Sequence, residues 1–142
     1  MKLKVLYFFV LTTLIASCGN TKLDFNEKVE GKYWKLILLK EDKIKMQENQ
    51  EREIHFILNA ENKEIKGFSG CNHFTGFYKL NNSRKKISFS DFSNISITCS
   101  IKEEEKFLEI LNQAFQFYLN SDRLFLKDQE NNVLAVFEAV YF

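Results

Sequence analysis

The sequence predicts an α+β domain: an antiparallel, strongly curved sheet of short strands with one covering helix. Three observations predict it. Apolar and polar residues alternate with period two in several short stretches. Only one stretch repeats its apolar residues at helical spacing. The order along the chain is strands, one helix, then strands again, which suits a helix laid on an antiparallel sheet.

The elements follow in order. Tyr33 to Leu39 is an apolar run with Trp34, Leu36 and Leu38 on one side. Residues 40–52 are highly charged and break the pattern, so they form a long loop or a hairpin connection. From Glu53 to Leu58 the alternation is clean: Ile54, Phe56 and Leu58 face the core, Glu53 and His55 the other side. Glu64–Ser69 and Phe74–Leu80 are strands on either side of a glycine-rich turn. Lys86–Ser90 turns Ile87 and Phe89 inward, and Ile95, Ile97 and Cys99 share a face. Ser100-Ile101-Lys102-Glu103 has capping-box spacing. Glu103, Glu104 and Glu105 then place negative charge at the positive end of the helix dipole, with a solvated face as their expected setting. Phe107, Leu108, Leu111, Ala114 and Phe115 recur at helical spacing. The helix ends between 112 and 118, where Phe115, Phe117 and Leu119 begin to alternate. Two further strands, Arg123–Lys127 and Val133–Tyr141, flank a turn at 128–132.

The chain begins with a different kind of segment. Lys2 and Lys4 precede an apolar run from Val5 to Ala16. A membrane-spanning helix needs roughly 20 such residues, so this run is too short and reads as a secretory signal over residues 1–17. Ile15-Ala16-Ser17-Cys18 matches a lipobox, resembling the bacterial site where diacylglycerol is joined to the cysteine thiol before cleavage. The expectation is a lipidated Cys18 bearing acyl chains such as palmitate, a tether over 18–30, and a domain over 31–142. Each buried methylene contributes about 0.8 kcal/mol, enough in several chains to hold a domain on a membrane. Gly19, not Asp, follows the cysteine, which favours the outer membrane facing the periplasm. Removing 1–17 takes Lys2 and Lys4 and turns a net charge of +1 into −1. That balance argues against nucleic acid as a partner. Cys71 and Cys99 remain as an even pair. In an oxidising envelope such a pair expects a disulfide, contributing about 3–4 kcal/mol by loop closure.

Three stretches carry a family resemblance. Gly31-Lys32-Tyr33-Trp34-Lys35-Leu36 fits Gly-x-x-Trp-x-Leu. Gly70-Cys71-Asn72-His73-Phe74-Thr75-Gly76-Phe77-Tyr78 fits Gly-Cys-Asn-x-aromatic-x-Gly-x-Tyr. Thr98-Cys99 precedes a Glu-rich helix, and Leu124-Phe125-Leu126 follows as a Leu-x-Leu strand. Together they resemble the META domain of heat-shock lipoproteins of the HslJ type, over residues 31–142. Ser96-Ile97-Thr98-Cys99 departs from the family's Thr-x-Met-Ala-Cys by lacking the methionine. The resemblance implies a compact α+β domain of the cell envelope. It supplies no reaction.

Two readings of the Gly70–Gly76 turn stand side by side. In one, glycines free the backbone, Asn72 satisfies it locally and Cys71 staples it. In the other, Asn72 and His73 face a ligand, with His73, Phe74, Phe77 and Tyr78 as a binding surface. Cys71, His73, Cys99 and His55 have donor types that suit zinc but not its usual spacing, so no metal or cofactor is expected. No Gly-x-Ser-x-Gly is present. The expected function is therefore a non-enzymatic envelope lipoprotein, bound to the membrane by its lipid, that binds an envelope protein or apolar ligand or supports integrity under stress. The alternative is a periplasmic hydrolase or metal-dependent activity at the Cys71–Tyr78 turn.

Overall fold

The computed structural model describes residues 28–48, 50–94 and 102–142. Nine strands and one helix are present among them: β1 (Tyr33–Leu39), β2 (Asp42–Lys43), β3 (His55–Asn59), β4 (Glu64–Phe68), β5 (His73–Asn81), β6 (Lys86–Asn94), α1 (Lys102–Gln113), β7 (Gln116–Asn120), β8 (Arg123–Lys127) and β9 (Val133–Val140). All pairings are antiparallel. The α+β class stands, with a curved antiparallel sheet and a single helix. The curvature goes further than a cover over an open sheet: β1 also pairs with β9 from Tyr33↔Val140 to Leu39↔Ala135, so the sheet closes on itself.

Closure is uneven. β6 and β7 share one register pair, Lys86↔Gln116, and diverge beyond it. Phe107, Ile110 and Leu111 of α1 are fully buried in the barrel core, so the helix closes what the strands leave open. The core joins both ends of the chain. Trp34, Phe56, Phe89, Phe107 and Phe137 form edge-to-face contacts with neighbours or lie wholly buried. Val29 is buried too and accepts a 2.7 Å hydrogen bond from Trp34 Nε1. The packed domain thus begins before Gly31, the boundary expected from polarity alone.

Most inward positions follow the alternation. Ile54, Phe56, Leu58, Ile87 and Phe89 are all buried. Three positions depart from it. A register shift between Leu36 and Leu38 turns Leu39 inward and leaves Leu38 on the outer face. β6 runs on to Asn94 rather than ending at Ser90, because Asp91 takes a left-handed φ of 54° and restarts the pairing. His55 faces outward yet is buried. Tyr33 stacks on it at 4.2 Å and Phe68 lies 6.5 Å away, both from adjoining strands. At Gly67 the strands come so close that a Cβ would meet the His55 carbonyl oxygen at 2.2 Å.

Candidate functional site

The turn between β4 and β5 is the most motif-rich part of the chain, and it is closed. Gly70 adopts φ +109°, a conformation that side chains rarely take, and this lets the backbone fold back within three residues. The Ser69 amide donates to the Asn72 carbonyl at 2.9 Å. Ser69 Oγ lies 2.6 Å from Glu104 Oε1 and 2.9 Å from the Asn72 carbonyl oxygen. Asn72 Nδ2 donates to both carboxyl oxygens of Glu104, at 3.0 and 3.1 Å. All three residues are buried. Side chains of the turn and of α1 thus satisfy one another, joining the first turn of the helix to the β4–β5 connection.

Glu104 was expected on a solvated face. Instead it lies on the apolar stripe of its own helix, three, four and seven residues before Phe107, Leu108 and Leu111. That spacing was the signal in the sequence. Burying a carboxyl group is tolerable only with hydrogen-bond partners, which Ser69 and Asn72 provide.

The other expected positions separate cleanly. Phe74 points into the core against Phe92 and Phe107. Tyr78 is buried as well, with its hydroxyl near Glu30 and the Asn59 carbonyl oxygen. Neither can belong to a binding surface, because alternation along β5 turns both inward. His73 and Phe77 take the outward positions. The edge of His73 meets Phe68 at 5.3 Å. Gly76 leaves room for Phe92 and the Ser90 carbonyl oxygen, each 2.9 Å from where a Cβ would be. Trp34 is a core residue. Cys71 is half-buried in the turn, whereas Cys18, Thr98 and Cys99 lie outside the described residues.

Several ionisable groups are held away from their usual behaviour. Burial pushes the Tyr78 hydroxyl up, and Glu30 beside it adds to the effect. For Glu30 itself burial acts upward, but hydrogen bonds from Lys63 and Tyr78 outweigh it and bring the carboxyl below its usual 4.5. Burial lowers His55 below 6.5, against a weaker opposing pull from the Glu53 carbonyl, 2.9 Å from Nδ1. Burial and Glu53 raise Tyr33 to about 12.

Beside the turn lies a cleft of about 540 Å³, within the usual range for small-molecule sites. Loop 40–50, Gly70 and α1 enclose it. Leu39, Ile44 and Ile54 give it apolar walls, while Lys43, Lys45 and Lys106 supply positive charge. Lys106 pairs with Asp42 at 2.9 Å across the rim. Neither the charged loop nor the cleft was marked by any motif. Among the described residues, no three His, Cys, Asp or Glu side chains lie close enough to hold a metal, and no helix is long and apolar enough to cross a membrane.

No curated protein matches the chain. Two structures solved by NMR share its fold. One, from Burkholderia xenovorans, superposes with a TM-score of 0.62 at 19% identity, covering 80% of this chain and 84% of that one. A second gives 0.59 at 18% identity, covering 80% and 92%. At these identities the likeness concerns the fold alone. The META domain family matches residues 27–141, nearly the whole of the domain described above. With that match running from before Val29 to Tyr141, the chain belongs to the META domain family.

Proposed function

We propose that this META-domain chain is a lipoprotein of the bacterial cell envelope that works by binding and not by catalysis. The observation that carries the binding reading is the cleft between loop 40–50, the Gly70 turn and α1, with its apolar walls and basic rim. Such a lining suits an apolar molecule or protein segment that carries negative charge. The closed state of the neighbouring polar cluster supports the same reading. Ser69, the serine adjoining the motif, is committed to Glu104 and the Asn72 carbonyl. A nucleophile needs a base and an open approach, and this serine is fully buried.

The envelope address rests on the Ile15-Ala16-Ser17-Cys18 tetrad after a short apolar run. An oxidising compartment would suit Cys71 and Cys99 as a disulfide pair, which is part of the same proposal. Lipidation of Cys18 would then account for the third cysteine. The domain would sit on the outer membrane, facing the periplasm, in a role in envelope integrity or stress.

One preparation tests the address and a second the binding. Protein purified from membranes and alkylated without reduction should have the mass of residues 18–142 plus acyl chains, with no alkylation. Retention of residues 1–17, or two alkylated thiols, would sink the lipoprotein or the disulfide reading respectively. A photo-crosslinking residue in place of Gln50, on the cleft wall, should capture a reproducible envelope partner or lipid in cells. The same probe in place of Asn82, away from the cleft, should not. Identical products from both would remove the cleft from consideration.

A further inference from the structure

The end of the barrel where the N-terminal segment enters carries an apolar patch built mostly from residues outside the motifs. On the outer face, Val140 of β9, Tyr33 of β1 and Ile57 of β3 stand in direct cross-strand register. Tyr141 and Phe142 continue the patch. With Gly31 and Lys32 they border a depression of about 350 Å³. Ile57 is 40% exposed, Tyr141 63% and Phe142 100%. The Phe142 ring stands edge-on to Tyr33 at 5.3 Å. Lys32 reaches over the rings of Trp34 and Tyr141.

Several acids around the patch have partners, Glu53 beside Tyr33 among them. Glu30 pairs with Lys63 at 2.8 Å and Glu64 with Lys66 at 3.0 Å. Asp122 accepts the Tyr141 hydroxyl at 2.6 Å. Glu138, one row away, stands in register between Lys35 and Arg123. Lys28 and Lys32 add positive charge at the point where the chain enters. Tyrosine rings and lysine stems beside bare apolar side chains are the composition of a surface that meets lipid headgroups.

We propose that this patch is where the domain rests on a phospholipid bilayer, the same bilayer that holds the acyl chains of Cys18. The proposal rests on the lipoprotein reading above. Ten residue steps lead from Cys18 to Lys28, and a chain spans at most about 3.5 Å per step, so the anchor and the domain are within about 35 Å of each other. Val29 is already packed in the core, and Gly31 and Lys32 border the patch. The chain therefore enters the domain beside the apolar face. The cleft beside Gly70 and α1 is a separate surface that shares none of these residues.

Tryptophan scanning of the intact lipoprotein tests this. Phe142→Trp and Val133→Trp are made separately, purified from membranes and reconstituted into phosphatidylcholine–phosphatidylglycerol vesicles, with and without brominated acyl chains. Val133 is exposed at the far end of β9, roughly 23 Å from Val140 at about 3.3 Å per residue. Trp34 is buried and gives a constant background. Phe142→Trp should shift to the blue and lose at least half of its added emission to the brominated lipid, while Val133→Trp keeps its own. Equal quenching at both positions, or at neither, overturns the proposal. So does a blue shift at Phe142→Trp that depends on protein concentration and ignores bromine, which would mean a second copy covers the patch. Intact mass of the same sample separates the two readings. If Cys18 carries no acyl chains, the anchor falls, and the same quenching measured on vesicles added to the unacylated protein still decides the patch.

Discussion

The β4–β5 turn and the Tyr33 end of the barrel are built from opposite kinds of sequence. The turn is dense with motif residues, and its polar side chains are turned on one another and on Glu104. The Tyr33 end, apart from Gly31 and the two variable positions after it, takes its surface from residues outside the motifs: Ile57, Val140, Tyr141 and Phe142. Glycine and asparagine are demanded where the backbone must bend and bury polar groups, and a motif records that demand. A contact surface needs only apolar side chains left outward by strand alternation, which leaves no pattern distinct from any other strand. The recognisable part of the chain is thus its scaffold. Its open surfaces have to be found from the fold.

The sharpest way to break this comparison is to disturb the turn. Asn72→Leu keeps the branched shape, at a larger volume, but removes both hydrogen bonds to Glu104. A buried carboxyl group left with fewer partners should cost about 3 kcal/mol, read from the midpoint of urea unfolding. Glu104→Gln keeps an acceptor for one donor and should cost about 1 kcal/mol. If Asn72→Leu unfolds within about 0.5 kcal/mol of the parent, the cluster does not hold the helix, and a ligand-facing role for Asn72 regains support.

Gly76→Ala probes the same stretch through space instead of polarity. A Cβ there would meet the Ser90 carbonyl oxygen and the Phe92 ring, both at 2.9 Å. Backbone on the facing strand gives way less easily than a side chain, so about 2 kcal/mol of destabilisation is expected. A stability unchanged in thermal unfolding would mean that β5 and β6 can separate at this point without loss.

How far the sequence could be followed depends on how local each determinant is. Ile54, Phe56 and Leu58 declare their strand by period two within six residues, and their burial follows. Leu38 and Leu39 exchange roles because a register shift is a property of two strands, not one. Closure of β1 on β9 joins residues about 100 positions apart, and no local pattern encodes such a pairing. Asn72 was visible as a motif residue, but its partner was not. Three successive glutamates at a helix start are explained by the helix dipole, and that explanation concealed the one that shares a stripe with Phe107 and Leu111.

A third test distinguishes two partly buried ionisable groups by pH. His55 lies under Tyr33, and burial lowers its folded pKa below 6.5. The unfolded chain therefore binds the proton first. The stabilising difference is present above pH 6.5 and is lost as pH falls toward the folded pKa. His55→Phe should flatten this part of the profile. Glu30 behaves alike at lower pH: its folded pKa lies below 4.5, so its contribution is present above 4.5 and lost as pH falls through the folded value. Tyr78→Phe removes one of its hydrogen bonds and should flatten only that lower limb. Unfolding midpoints between pH 3 and 8 would read both. Two variants with one shared profile would mean that neither group carries the dependence assigned to it.

The smallest effect expected is the most direct comparison, because it concerns adjacent residues. His73 follows Asn72 and is exposed, touching Phe68 by its edge. His73→Ala should change stability by less than about 0.5 kcal/mol, as surface substitutions generally do. Phe142→Ala, at the opposite kind of surface, should also change stability little in solution, since the residue is exposed and its ring meets Tyr33 edge-on. The two differ in what else they alter. On lipid vesicles Phe142→Ala should weaken the domain's contact with the bilayer, whereas His73→Ala should not. A His73→Ala protein as unstable as Asn72→Leu would show that the turn is held from its outer side as well. The division between a closed scaffold and an open surface would then fail at the very residue where it was drawn.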